Sequence, residues 1–522
     1  MLRLGVDVGG TNTDAVLVDG TSLVASFKTP TTRDVETGVF RAIHTLLQSE
    51  GVGAHAISSV LIGTTQFTNA VVERQRLVKI GVIRLAAPAT TSVPPLYDWP
   101  EALLAEIGRD VEIIGGGYEF DGRLLAPLDE RALAAAARRF RSKGLTTVAV
   151  SCAFAPLNPA MENRAAEILA NEMPGVRISL SSAFGRIGLI ERENAAAMNA
   201  SLTDLAQAVV GSFRRALGGL GITAPFFVTQ NDGTLMSAEA VERHPVLTFA
   251  SGPTNSMRGA AFLSQMTDTL VADIGGTTTD VGTLVRSFPR EAGGAVDIGG
   301  VRTNFRMPDL LSIGLGGGSL VETAPMKVGP RSVGYGLTTE GLVFGGTQMT
   351  ATDIAVAAGI ADIGDKQRVK HLSKAVIKQA LDEIHRMLEE AVDRVKTSRA
   401  AVPLVLVGGG SILIDRPLKG VSEVIVPTNS SVANAVGAAI GEVGGEVDSY
   451  FDYETIGRDA VLAQVKETAR RAAIAAGAEP NGLRIVELDE VPLGYLPGKT
   501  VRVRLKMIGP LDLASLTGST AP

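Results

Sequence analysis

The stretch Asp7–Asp14, DVGGTNTD, and its near copy Asp273–Asp280, DIGGTTTD, decide how this chain is read. Each is entered from an apolar run, LRLGV or TLVA, and left through another, AVLV or VGTLV. An apolar strand, a Gly-Gly-Thr turn and a second apolar strand predict a β-hairpin with a polar tip. The two leading aspartates are 266 residues apart. That is the spacing of a duplicated domain, not of a short solenoid repeat.

The tip composition points to phosphate. Gly9, Gly10, Gly275 and Gly276 let backbone N–H groups come close to phosphate oxygens, and Thr11, Asn12, Thr13, Thr277 and Thr278 add polar side chains. A carboxylate beside a phosphate is repulsive unless a cation lies between them. Asp7 and Asp273 are therefore expected to organise Mg²⁺, through its waters. Asp14 and Asp280 close the motifs, either as further groups of the site or as caps of the turn. One Gly-Gly-Thr turn is accounted for by a tight hairpin alone; two with matching aspartates call for a functional reason. A third glycine turn, Gly408-Gly409-Gly410-Ser411, follows the apolar run PLVLV, where a nucleoside could lie against backbone.

Between these points strand-like and helix-like runs alternate, which predicts α/β layers. Long helical stretches are expected over 187–217 and 366–396. After about residue 445 a helical run is followed by strand-like alternation, read as a small C-terminal appendage, and the last residues, SLTGSTAP, read as disordered. The chain, 522 residues with 45% hydrophobic content, is long enough for several buried cores. Its net charge of −6 is spread without a basic run, which argues against a nucleic-acid partner. No signal peptide or membrane-length apolar run is read, and the one cysteine, Cys152, sits in a strand-like run as a structural thiol. A cytoplasmic location is the expectation. His44, His55, His244, His371 and His385 are scattered without metal-ligand spacing, and no nucleophile elbow is present.

At the level of these motifs the chain resembles the superfamily of sugar kinases, heat-shock chaperones and actin. Within it the chain is similar to the hydantoinase A/5-oxoprolinase family. The resemblance is carried by GVDVGGTNTDAVLVD, IGTTQFTNAVVER from Ile62, AVSCAFAPLNPAMENRAAEIL from Ala149, FASGPTNSMRGAAF, DIGGTTTDVG, SIGLGGGS from Ser312, VGPRSVG, MTATDIAVAAG and VGGGSILI. It implies two actin-like (ribonuclease H-like) ATPase domains, 1–185 and 186–445, with a nucleotide cleft between them and an appendage over 446–522. It implies ATP and Mg²⁺ as cofactors and a cyclic amide as substrate, opened after phosphorylation of the amide oxygen. Asp7, Gly9 to Thr13, Asp273 and Gly275 to Thr278 carry over as phosphate and metal groups, and Gly408 to Ser411 as the nucleoside loop. Thr64, Thr65, Asn69, Gly316 and Gly317 are candidate substrate-side residues, the threonines doubling as helix caps. A second hydantoinase-type subunit or a homo-oligomer is an expected partner, with neither nucleic acid nor membrane. A small-molecule kinase and an activating ATPase module for a partner protein are the alternative functions.

The departures from the family pattern fall on the side expected to meet substrate. A histidine-bearing segment is replaced by RLAAPATTSVPPLYDW, Met161 stands for a histidine before Glu162, and SGPAGG reads SGPTNS, with Thr254, Asn255 and Ser256. A proline- and cysteine-containing loop is missing after VGPRSVGYG.

Overall fold

The computed structural model describes residues 1–10, 12–32, 34–184, 187–494 and 499–513. Thr11 and the final segment SLTGSTAP lie outside the described residues. The chain opens with an antiparallel meander, β1 (Leu2–Val8), β2 (Asn12–Asp19) and β3 (Ser22–Pro30), and then β4 (Ile57–Thr64) lies parallel to β1. Leu4 through Val8 are buried on both faces of the sheet, which is why this strand reads as nearly continuous apolar sequence.

Next comes a separate all-parallel sheet of β5 (Gly81–Ala87), β6 (Asp110–Gly115), β7 (Thr147–Cys152) and β8 (Arg177–Leu180), in the order β6-β5-β7-β8. Helices cover it and bury Leu133, Phe140, Met161 and Leu169 with Cys152. The helical stretch expected over 187–217 is two helices, Leu189–Ser201 and Thr203–Gly219. At the break the hydroxyls of Ser201 and Thr203 bond the carbonyls of Met198 and Ala200, local bonds that compete with the helical ladder.

The chain returns to the first sheet with β9 (Phe226–Thr229) and β10 (Thr234–Ser237), and the second copy follows as β11 (Thr269–Ile274), β12 (Thr279–Val285) and the short β13 (Phe288–Pro289). Two hairpins, β14 (Val296–Ile298) with β15 (Val301–Thr303) and β17 (Ser319–Thr323) with β18 (Met326–Ser332), flank β16 (Leu310–Ile313), which pairs β12. The stretch expected as a helix over 366–396 is a single turn, Lys366–Val369, then the helix Lys374–Val395 capped by Ser373. Its Ile384, Leu388 and Val392 pack with Leu270, Ile274 and Leu406 in the core of the second half. Then come β19 (Val402–Val407), parallel to β11, and β20 (Val421–Ile425), followed by β21 (Glu442–Asp452), β22 (Arg484–Pro492) and β23 (Thr500–Gly509).

Two sheets thus repeat one plan, with orders β22-β23-β21-β10-β9-β4-β1-β2-β3 and β13-β12-β11-β19-β20. In each, an antiparallel hairpin carries the glycine turn and its first strand has a parallel neighbour on the other side. This is the duplicated α/β architecture of the actin-like ATPases. The pairing runs across the boundaries read from sequence. β9 and β10, within 186–445, belong to the first sheet, and the C-terminal segment extends that same sheet instead of standing apart. The physical reason is non-local strand pairing, reinforced by the buried pair of Lys506 on β23 with Asp232 in the β9–β10 turn, N···O 2.8 Å.

Two helices cross between the sheets. The helix Ser251–Ser264 comes after first-sheet strands, yet its Met257 and Ala260 pack with Val271, Val405 and Val407 of the second sheet. The helix Ala433–Ala439 comes after second-sheet strands, yet its Ala435, Val436 and Ala439 pack with Val16 and Val18 of the first. The helices meet backbone to backbone: a Cβ on Gly259 would collide with the Ala433 carbonyl, and one on Gly437 with that of Asn255.

Candidate active site

The two glycine turns superpose in their local bonding. Gly9 N–H donates to Asn12 O at 3.0 Å, and Gly275 N–H donates to Thr278 O at 2.9 Å. The strand registers match as well: Asp7 pairs Asp14, and Asp273 pairs Asp280. Gly9 and Gly275 therefore spend their N–H groups closing the turns. Gly10 and Gly276 face open space, with nothing within 4 Å of an added Cβ, and Thr277 and Thr278 are exposed.

Beside each leading aspartate the parallel neighbour strand supplies a glycine. A Cβ on Gly63 would lie 2.7 Å from Asp7 Oδ1, and one on Gly408 would collide with Asp273 Oδ1 and the Ile274 carbonyl. Gly408 also has φ +84°, a left-handed conformation natural to glycine. Gly410 rests on the Ile274–Gly275 backbone, Gly409 is exposed, and Ser411 is buried. The candidate nucleoside loop thus lies directly against the second glycine turn.

The electrostatics are those of crowded acid. Asp7 is buried and its carboxyl is pushed up to about 7, first by burial and then by Asp14, with Asp273 adding to the rise and Asn434 and Lys28 opposing it. Burial raises Asp14, against the pull of the Lys28 ammonium at 2.7 Å. Asp273 is raised by burial against a hydrogen bond from Ser256, and Asp280 is pushed up to about 6 by burial, with Asp273 contributing. Among the described residues, Asp7 Oδ1 and Asp14 Oδ1 find no hydrogen-bond partner. Buried acceptors left unmatched in a field that disfavours their charge fit a cation. Among the described residues no three His, Cys, Asp or Glu side chains form a ready-made ligand cluster. Asp7, with its unmatched Oδ1 beside Asp14 and Asp273, fits a cation held through its water shell.

Other residues named from sequence are placed as follows. Thr13 Oγ1 lies 3.2 Å from Thr31 Oγ1, whose hydroxyl donates to Gly9 O at 2.8 Å. Thr64 is buried at the end of β4; Thr65 occupies the N-cap of the helix Gln66–Glu73 without a side-chain cap bond, and Asn69 Nδ2 donates to Thr65 Oγ1 at 3.4 Å. Gly316 and Gly317 are buried behind the second turn. Gly317 N–H donates to Gly275 O at 3.0 Å, Gly318 N–H to Gly276 O at 2.7 Å, and a Cβ on Gly316 would lie 2.5 Å from Thr277 N.

The SGPTNS segment, expected toward substrate, is interior. Thr254 donates to Asn231 O at 2.8 Å, Asn255 Nδ2 to Thr229 Oγ1 at 2.9 Å, and Ser256 bonds Asp273 and Asn434. Met161 is buried against Cys152 and Gly117 N–H, and the Cys152 thiol is pushed up to about 12 by burial. In the altered segment Arg84 forms a fully buried pair with Glu193 at 2.6 Å, and Trp99 Nε1 donates to Asn194 at 2.8 Å. Sequence reasoning missed Lys28 and Asn434 as neighbours of the aspartates. Lys28 had a usable signal, a lysine on β3 whose register places it opposite Asp14. Asn434 had none, because its helix reaches Asp7 only through the crossing of the two halves.

Comparison with known proteins adds to this geometry. The family description "Hydantoinase/oxoprolinase N-terminal region" matches residues 3–173, and "Hydantoinase/oxoprolinase" matches 192–365. Caprolactamase subunit alpha of Pseudomonas jessenii is 27% identical over 77% of this chain and 60% of its own length. Acetophenone carboxylase gamma subunit of Aromatoleum aromaticum is 28% identical over 68% of this chain and 53% of its own. The chain thus spans about half to three-fifths of these curated relatives. Among solved structures, the ATP-dependent caprolactamase from Pseudomonas jessenii aligns with TM-score 0.78 at 21% identity, over 98% of this chain and 88% of that one. Nucleotide-free acetone carboxylase aligns with TM-score 0.67 at 17% identity, over the same shares. At these identities the structural likeness is one of fold. Among the described residues no helix is long and apolar enough to cross a membrane.

Proposed function

The chain belongs to the hydantoinase/oxoprolinase family, and from that premise we propose that it is an enzyme that uses Mg·ATP to open a cyclic amide, a lactam, hydantoin or related ring. The observation that carries the reading is the convergence of two matched aspartate-bearing turns, with Asp273 close enough to Asp7 to add to the rise of its pKa. The relative named as an ATP-dependent caprolactamase supports the substrate class, and relatives named as subunits support a second polypeptide in the working assembly.

An amide carbonyl is a poor electrophile. Transfer of the γ-phosphoryl group to its oxygen turns that oxygen into a leaving group. Water then adds to the ring carbon, the C–N bond breaks as nitrogen takes a proton, and the acyl phosphate hydrolyses to carboxylate and phosphate. The chain's part is positioning and charge compensation. Gly10, Gly276, Thr277 and Thr278 line the open faces of the turns, where donors meet phosphate oxygens. Gly408 to Gly410 shape the adjoining backbone for the nucleoside. Lys28 offsets the acid of the first turn. Asp7 and Asp273 would hold Mg²⁺, which neutralises phosphate charge when bound.

Incubating the protein with Mg·ATP and a panel of lactams, hydantoins and thiohydantoins, while ADP and ring opening are followed together, tests the reading. ADP formed in fixed ratio to opened ring supports it. A phosphorylated product that persists would instead identify a small-molecule kinase, and slow turnover indifferent to added substrate would identify an activating ATPase module.

A further inference from the structure

A continuous polar bridge joins the two halves of the site. Asn434 Nδ2 donates to Asp7 Oδ2 at 3.4 Å, the Ser256 hydroxyl is in contact with Asn434 Oδ1, and the same hydroxyl bonds Asp273 Oδ2. Ser256 is buried, and Asn434 is the second residue of the helix Ala433–Ala439. The bridge follows the exchange of helices: Ser256 sits on the helix that leaves the first sheet, and Asn434 on the one that leaves the second. Gly259 and Gly437 bring the two helices into backbone contact, so little slack separates Ser256 from Asn434. A hydroxyl has one proton, and Asn434 Oδ1 and the ionised Asp273 are both acceptors, so Ser256 donates to one of them and touches the other.

We propose that Ser256 and Asn434 are positioning residues that fix the separation of Asp7 and Asp273, and thereby set the affinity of the cleft for a divalent cation. The proposal rests on the reading that this cation lies between the two aspartates. Neither residue touches the cation; each orients a carboxylate that faces it. Ser256 stands where the resembled pattern has glycine, so the hydroxyl is a feature of this chain and not of the turn motif.

The test measures binding of a non-hydrolysable ATP analogue to the full chain by calorimetry as Mg²⁺ is varied. Partners that orient ligating carboxylates contribute about 10–100-fold to metal affinity. Ser256→Ala and Asn434→Ala should each raise the Mg²⁺ concentration for half-maximal binding by about tenfold or more, leave Mg²⁺-free analogue binding unchanged, and combine without further loss, because they break one bridge. Ser256→Thr, which keeps the hydroxyl, should retain tight Mg²⁺ dependence. Unchanged Mg²⁺ dependence in both alanine variants overturns the bridge; so do additive effects, or equal loss of binding with and without Mg²⁺. Asp7→Asn separates the two levels: if it leaves Mg²⁺ dependence intact, the cation assignment itself has failed, whatever the bridge variants do.

Discussion

The two glycine turns have nearly the same sequence and the same internal bond, yet they are held in place by different means. The first is braced by side chains: Thr31 donates to Gly9 O, Thr65 Oγ1 donates to Val8 O at 3.5 Å, and Lys28 pairs with Asp14. The second is braced mainly by backbone, as Gly317 and Gly318 donate to the carbonyls of Gly275 and Gly276 and Gly316 lies flush against them, with only the long Ser332 hydroxyl bond to Gly276 O, 3.4 Å, from a side chain. Its closing aspartate, Asp280, is met by Ser312 instead of a lysine. Duplication preserved the tip and let the scaffold diverge. A side-chain brace is deleted by one substitution at the cost of a hydrogen bond, about 0.5–1.5 kcal/mol. A backbone brace has no side chain to delete and fails only when something is forced into it.

The largest expected effect treats the turns as equals. Asp7→Asn and Asp273→Asn should each lower Mg·ATP turnover by about a thousandfold or more, on the scale of losing a main electrostatic group of the reaction. Because each carboxylate is strained by burial, both variants should keep or raise the melting temperature of the metal-free protein. Near-normal ADP release from either one breaks the symmetry assigned to the pair.

The scaffolds then separate the turns. Gly316→Ala drives a Cβ onto backbone that has no room for it, so overpacking of about 1–3 kcal/mol should lower the melting temperature and nucleotide binding together. Gly10→Ala meets open space and should leave melting unchanged while weakening nucleotide binding. Equal thermal shifts in the two variants would refute the distinction. Thr31→Ala, on the side-chain brace, should cost about 1 kcal/mol, read as a small drop in the urea midpoint.

Lys28→Met removes the ammonium that favours the charged forms of Asp7 and Asp14. It should weaken Mg·ATP turnover about tenfold, mainly through the first turn, although Lys28 also favours the charged form of Asp273; an equal response to a substitution at Ser312 would erase the asymmetry. A further effect is a pH slope. Asp7 has a folded pKa of about 7 against 3.8 for the ordinary group, so the folded state binds the extra proton. The metal-free protein should lose stability as pH rises from about 4 toward 7 and level off above it. Urea midpoints across that window check the sign, and Asp7→Asn should reduce the slope, the rest coming from the raised Asp14, Asp273 and Asp280.

Much of this was legible in the sequence, because a glycine turn between two apolar strands is a local pattern and its repetition 266 residues later is visible without any structure. The duplicated halves, the matched aspartates, the hairpin tips and the α/β layers follow from periodicity and turn chemistry over a few residues each. Cys152 is buried and its thiol pushed up, as its apolar strand setting implies. What tertiary structure alone decided is where distant segments go. β9, β10 and the strands after residue 442 join the first sheet, because register with β4 and the Lys506–Asp232 pair outweigh proximity along the chain. SGPTNS lies in the interior, because the helix that carries it crosses to the other half. Asn434, in a stretch of small residues without a motif, meets Asp7 across 427 positions of sequence. Local patterns fix what a segment is. Which segments share a carboxylate is fixed by packing two halves against each other, a long-range balance of burial and charge that no short window of residues records.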